Sequence, residues 1–208
     1  MTKKNLKGMT LVELMVAISI MLIAMGGFTT LFIKSWDTNK FVLEEGMASS
    51  NASYALGKVI KQLRGVKQAD NGDFPVESAD DFDLKVYVDI DHDDVTERVH
   101  YFLDLDTHEL QRGVTNPTGS APVSYPASDD SVSVIAEHIT NTNANPLFLY
   151  YNKNYPGDTT NNPIATPADV SAIRLIQVHL WVDVNPAHPP NNINMESFVD
   201  LRNLKYYE

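Results

Sequence analysis

MTLVELMVAISIMLIAMGGFTTLFI, Met9 to Ile33, is a run of 25 residues with a single charge, Glu13. About 20 apolar residues in helical conformation, at ~1.5 Å rise each, cross the hydrocarbon layer of a bilayer. The stretch is long enough to span. Lys3, Lys4 and Lys7 precede it with no acid among the first eight residues. Basic flanks stay on the cytoplasmic side, so a short cytoplasmic N-terminus and an exported remainder are expected. A cleaved secretory signal requires a shorter apolar core followed by a small-residue cleavage site. Here the core is too long and Ala24-Met25-Gly26 matches such a site poorly. A plain single-span anchor leaves Glu13 unexplained, because a carboxylate in a lipid-facing helix costs about 2.5–3.5 kcal/mol.

Beyond Ile33 the helical period continues. Leu56, Val59, Ile60, Leu63 and Val66 recur at helical spacing, with Lys58, Lys61, Gln62 and Arg64 between them. This predicts an amphipathic helix with one buried stripe. Asp70-Asn71-Gly72-Asp73 reads as its stop. A helix from Met9 to about Lys67 is roughly 90 Å long, with Gly26-Gly27, Gly46, Gly57 and Gly65 as points of bending.

The period then changes to two. Phe82, Leu84, Val86, Val88 and Ile90 alternate with polar neighbours, as do Val99, Tyr101, Leu103 and Leu105. Asp91-His92-Asp93-Asp94 separates the two runs, which predicts a hairpin. Glu109–Arg112, Leu147–Tyr151, Ile176–Val184 and Ser197–Leu204 read as further strands, and residues 116–131 and 154–167 as Pro-, Ser-, Asn- and Gly-rich loops. The expected fold class is α+β, a long N-terminal helix packed on an antiparallel sheet. The expected division is 1–8 leader, 9–33 membrane or filament-core helix, and 34–208 ectodomain.

Composition removes several functions. The chain has 208 residues, a net charge of −11 and no cysteine. Without the first eight residues, 13 basic residues face 27 acidic ones. Such a body repels nucleic acid backbones, so no nucleic acid partner is expected. Disulfides, iron–sulfur clusters, thiolate zinc sites and cysteine nucleophiles are excluded.

Lys7-Gly8-Met9-Thr10-Leu11-Val12-Glu13-Leu14-Met15-Val16-Ala17 resembles the prepilin motif of type IV pilins and type II secretion pseudopilins. The resemblance implies cleavage between Gly8 and Met9 by the membrane prepilin peptidase, on the cytoplasmic face, and N-methylation of Met9. Glu13 then stands fifth in the mature chain, where the family keeps a glutamate that pairs with the N-terminal amine of a neighbouring subunit. Met9 departs from the usual phenylalanine. The implied partners are the peptidase, other pilins or pseudopilins, and the inner-membrane assembly platform. The implied location is the cytoplasmic membrane, with the ectodomain periplasmic or extracellular. His108–Arg112, Phe148–Tyr151 and Val199–Asn203 also resemble the larger minor pseudopilins of the type II secretion J-like group. The implied function is a structural, minor subunit that initiates or caps a filament, with no enzymatic activity. The competing readings are a tip adhesin or DNA-uptake pilin and a membrane-tethered hydrolase.

Among chemistry-bearing clusters, Asp89, Asp91 and Asp93 offer alternating oxygen ligands of the kind calcium takes, next to Asp94 and Glu97. The EF-hand spacing fails, since Asp94 and His100 stand where that loop requires glycine and glutamate. A solvated acidic turn is the favoured reading, with a calcium site at Asp89, Asp91 and Asp93 as the alternative. The six histidines, His92, His100, His108, His138, His179 and His188, show no HxxxH or HExxH spacing. No GxSxG or phosphate-loop pattern occurs. Tyr150, Tyr151, Trp181, Tyr206 and Tyr207 are either an exposed aromatic patch or, as preferred, core and sheet-face residues.

Overall fold

The computed structural model describes residues 8–184, 192–201 and 203. Lys3, Lys4, Lys7, His188, Arg202, Leu204, Tyr206 and Tyr207 lie outside the described residues. The chain divides into two units, Met1–Gly46 and Met47–Glu208.

A single helix, α1, runs Leu11–Leu63, unbroken through Gly26, Gly27, Gly46 and Gly57. It ends before the predicted stop. Gly65 N–H bonds Gln62 O at 2.9 Å, an i to i−3 closure that tightens the last turn. The Asp70–Asp73 turn lies beyond, with Gly72 at φ 90°. In the second unit the buried stripe is Ala48, Ala52, Ala55, Val59, Ile60 and Leu63.

Among the described residues eight strands follow: β1 Val76–Ala79, β2 Asp83–Val88, β3 Glu97–Asp104, β4 Glu109–Thr115, β5 Ser131–Ala136, β6 Phe148–Tyr151, β7 Leu175–Val182 and β8 Ile193–Asp200. All pairings are antiparallel. They form a five-stranded sheet in the order β1-β2-β3-β4-β5 and a three-stranded sheet in the order β6-β7-β8. The predicted hairpin is β2–β3, with Val86 opposite Val99 and Leu84 opposite Tyr101. One core joins the helix stripe to Leu84, Val86, Val99, Tyr101 and Leu110 of the larger sheet and to Phe148, Tyr150, Ile176 and Val178 of the smaller. The buried hydroxyls are satisfied: Tyr101 donates to Gln62 Oε1 at 2.5 Å and Tyr150 to Asp80 O at 2.7 Å.

The sequence reading missed β1 and β5 and placed the last strand late. β8 spans Ile193–Asp200 rather than starting at Ser197. The core reading holds for Tyr150 and Tyr151, both buried.

Candidate functional site

The N-terminal segment is built around one carboxylate. Thr10 precedes the helix and acts as its N-cap. Glu13 Oε2 accepts from Thr10 N–H at 2.8 Å and from Thr10 Oγ1–H at 2.9 Å, while Glu13 N–H approaches Thr10 Oγ1 at 3.3 Å. This is a capping box, in which two helix-end donors are satisfied reciprocally. Both side-chain bonds use Oε2, which leaves Oε1 open to a further donor.

Gly8 and Met9 stand exposed just ahead of it. A Cβ on Gly8 would meet nothing within 4 Å. From Met9 to Ile33 every large apolar side chain is between 49% and 78% exposed. An apolar surface of that extent requires an apolar partner, either lipid or other polypeptides. The hydroxyls are prepared for such a medium. Ser19, Thr29 and Thr30 donate back to Met15 O, Met25 O and Gly26 O at 2.8–2.9 Å. No hydroxyl on this stretch of helix therefore needs water. Phe28, Phe32 and Trp36 stack in sequence along the helix, with centroids 6.5 and 6.4 Å apart. α1 is long and apolar enough to cross a membrane.

At the β2–β3 turn the structure brings together a trio that shares two residues with the expected Asp89, Asp91 and Asp93. Carboxylate oxygens of Asp89, Asp91 and Glu97 lie within 4.8 Å of one another. Asp93 is not among them, because its Oδ1 accepts from Val95 N–H at 2.8 Å and shapes the turn instead. His92 and Asp94 adopt left-handed φ of 66° and 70° there. Asp89 already accepts from His92 N–H at 2.7 Å and faces Lys67 Nζ at 3.4 Å. Burial pushes its pKa up, but these donors outweigh that and hold it below the ordinary value. Glu97 accepts from Ile90 N–H at 2.8 Å. Burial still carries its pKa upward, helped by the charges of Asp91 and Asp89. The trio has the hard oxygen chemistry that calcium takes, yet it is stitched to its own backbone and to a lysine.

The sequence reading did not find a polar cluster on the face of the five-stranded sheet away from the core. His100 lies between two carboxylates, with Nε2 at 2.6 Å from Asp83 Oδ2 and Nδ1 at 2.9 Å from Asp129 Oδ2. Asp129 also accepts from Thr115 Oγ1–H at 3.1 Å and lies 3.7 Å from Arg98 Nη2. Burial lowers the His100 pKa, but the hydrogen bonds and charges of the two aspartates raise it further, so it ends above its ordinary value. Gly113, opposite His100 on β4, makes room: a Cβ there would lie 2.0 Å from Asp129 Oδ2. Asp129 anchors the end of the 116–130 loop, and Arg98 adds a bond to Ala127 O at 3.2 Å.

The other described histidines serve local structure. His92, His108 and His138 occupy left-handed positions, and His179 bonds Asn194 and Trp181. Among the described residues no serine or threonine hydroxyl is hydrogen-bonded to a histidine ring.

Comparison with known protein families returns a match at the N-terminus. No curated protein and no solved structure matches the chain. Residues 3–29 match the prokaryotic N-terminal methylation motif, the prepilin-type cleavage and methylation motif found in type IV pilins and pseudopilins.

Proposed function

We propose that the chain is a minor structural subunit of a type IV pilus-like or type II secretion pseudopilus filament, which it helps to initiate or cap. The observation that carries this reading is the exposed apolar half of α1, with Glu13 as its one charge, directly behind Gly8 and Met9. Prepilin peptidase cuts between Gly8 and Met9, and Met9 becomes the methylated N-terminus. The subunit waits in the cytoplasmic membrane with its body exported. On assembly, neighbouring subunits replace lipid around Met9–Ile33. Glu13 Oε1 then takes the positive Met9 amine of a neighbour, while Oε2 keeps the Thr10 cap. An unpaired charge in that low-dielectric layer is costly, so the pair rewards correct register between subunits.

Intact-mass spectrometry of the protein extracted from membranes of cells that hold the peptidase tests this. The expected mass lacks Met1–Gly8 and carries one added methyl group. A stable full-length chain in such cells would sink the reading.

A further inference from the structure

β5 forms one edge of the five-stranded sheet, and its outer side pairs with no other described strand. An open edge is a template for another chain, and proteins usually blunt it with lysine, proline or cover. Ser131-Val132-Ser133-Val134-Ile135-Ala136 contains neither residue nor any charge. Val132 and Val134 are 53% and 48% exposed.

The neighbouring strand adds a charge argument. Arg112 of β4 lies opposite Ser133, on the face it shares with the buried Leu110 and Val114. Its Nε is buried without a hydrogen-bond partner. Lys58 of α1 is close enough that burial first, and then the Arg112 charge, lowers its pKa. Neither cation has an ion-pair partner among the described residues, in a chain whose acidic residues outnumber basic ones by 27 to 16.

We propose that the β5 edge, with Arg112 and Lys58 behind it, is a docking site for an extended segment of another polypeptide that carries a carboxylate facing Ser133. Main-chain bonds from β5 hold such a strand, and its side chains supply specificity. Strands lie about 4.8 Å apart, so a residue opposite Ser133 is roughly 10 Å from the Arg112 backbone. A glutamate and an arginine side chain together cover that distance, and the serine between them is too small to block it. Charge also disfavours a second copy of β5 in the register that overlaps the two strands fully, because antiparallel self-pairing centred on Ser133–Val134 sets Asp130 near Glu137 of the other copy and brings no carboxylate to Ser133.

The test uses the full chain in detergent and two seven-residue peptides, Thr-Val-Thr-Glu-Thr-Val-Thr and its central-Gln counterpart, with amide hydrogen exchange as readout. The Glu peptide is expected to slow exchange at Val132–Val134 and to bind at least tenfold more tightly than the Gln peptide. Arg112→Gln and Lys58→Gln should each cut that preference below threefold, Arg112→Lys should restore part of it, and Val134→Pro should remove binding of both peptides. Equal binding of the two peptides, or no protection of β5 at millimolar peptide, overturns the proposal. Protection that instead grows with protein concentration alone overturns it in favour of self-pairing. The outcome is independent of cleavage at Gly8, so failure here leaves the filament reading standing.

Discussion

Glu13→Gln separates the two roles that the structure gives this residue. Glutamine serves in a capping box as glutamate does, so the bonds to Thr10 at 2.8 and 2.9 Å survive the change. The charge does not. If a neighbour's Met9 amine depends on Glu13, the variant leaves that amine buried and unpaired, at about 3–5 kcal/mol per contact. With ~1.4 kcal/mol per tenfold, subunit association weakens by roughly a hundredfold to a few thousandfold. Insertion of the lone subunit should be neutral or improved, because a carboxylate in lipid is the costlier group. Glu13→Ala removes charge and cap together and adds about 1 kcal/mol of local helix instability. The chain has no cysteine, so single cysteines introduced at Leu11 and Val16 report uniquely on contacts with partner subunits. Crosslinking in intact membranes should fall to background for Glu13→Gln and Glu13→Ala alike, with Gly8 cleavage retained in both. If Glu13→Gln crosslinks as wild type while only Glu13→Ala fails, Glu13 is a helix cap and the intersubunit pair must be given up.

Three further outcomes follow from the second unit, Met47–Glu208. Chelator should leave the melting temperature unchanged, since Asp89 and Glu97 already have protein donors; a bound ion at a hundredfold excess over Kd would instead add about 2.7 kcal/mol, and a shift abolished by Glu97→Gln but not by Asp93→Asn would establish a calcium site. The raised His100 pKa stabilises the fold below the ordinary value of 6.5 and loses that contribution as pH climbs through the folded value. On the acid side, burial raises the Asp83 pKa but His100 pulls it below its ordinary 3.8, so its contribution persists until pH falls through that lowered value; thermal melts from pH 4 to 9 should show stability declining above about 6.5, and His100→Gln should flatten that decline. Gly113→Ala should cost about 1–3 kcal/mol by displacing Asp129, whereas in an Asp129→Ala background the same change should cost much less, and additive losses in that double-mutant cycle would refute the close approach.

What the sequence disclosed and what it hid have physical causes. The C-terminal part of α1 and the β2–β3 hairpin are legible because each has one face in the core, so burial imprints a period on residues close in sequence. The inner face of α1 was only half visible, since Ala48, Ala52 and Ala55 carry it as much as Val59 and Leu63 do, and alanine gives little periodic contrast. β5 was missed because its first four residues are exposed. With no core-facing alternation, nothing distinguishes Ser131–Val134 from the Ser- and Pro-rich loop before it. The His100 cluster was invisible for a different reason. Asp83 and Asp129 are 17 and 29 residues away from the histidine, and only strand pairing and the missing side chain at Gly113 bring them together.

The N-terminal site shows a third kind of gap. Thr10-Leu11-Val12-Glu13 is a readable capping box, but it lies inside a segment whose apolarity directs attention to lipid and makes the carboxylate look anomalous. The structure removes part of the anomaly: Glu13 has a local use in the lone subunit, and the helix start lacks water to replace it once in an apolar medium. A carboxylate that is already half satisfied costs less to hold in the membrane before assembly, and its second oxygen remains directed by the same cap. Thr10→Ala therefore disturbs the site without touching its charge. It should lower crosslinking between subunits less than Glu13→Gln does, because it loosens the orientation of Glu13 while leaving the Met9 amine a partner. A Thr10→Ala defect as deep as that of Glu13→Gln would mean that orientation, and not charge, governs the contact.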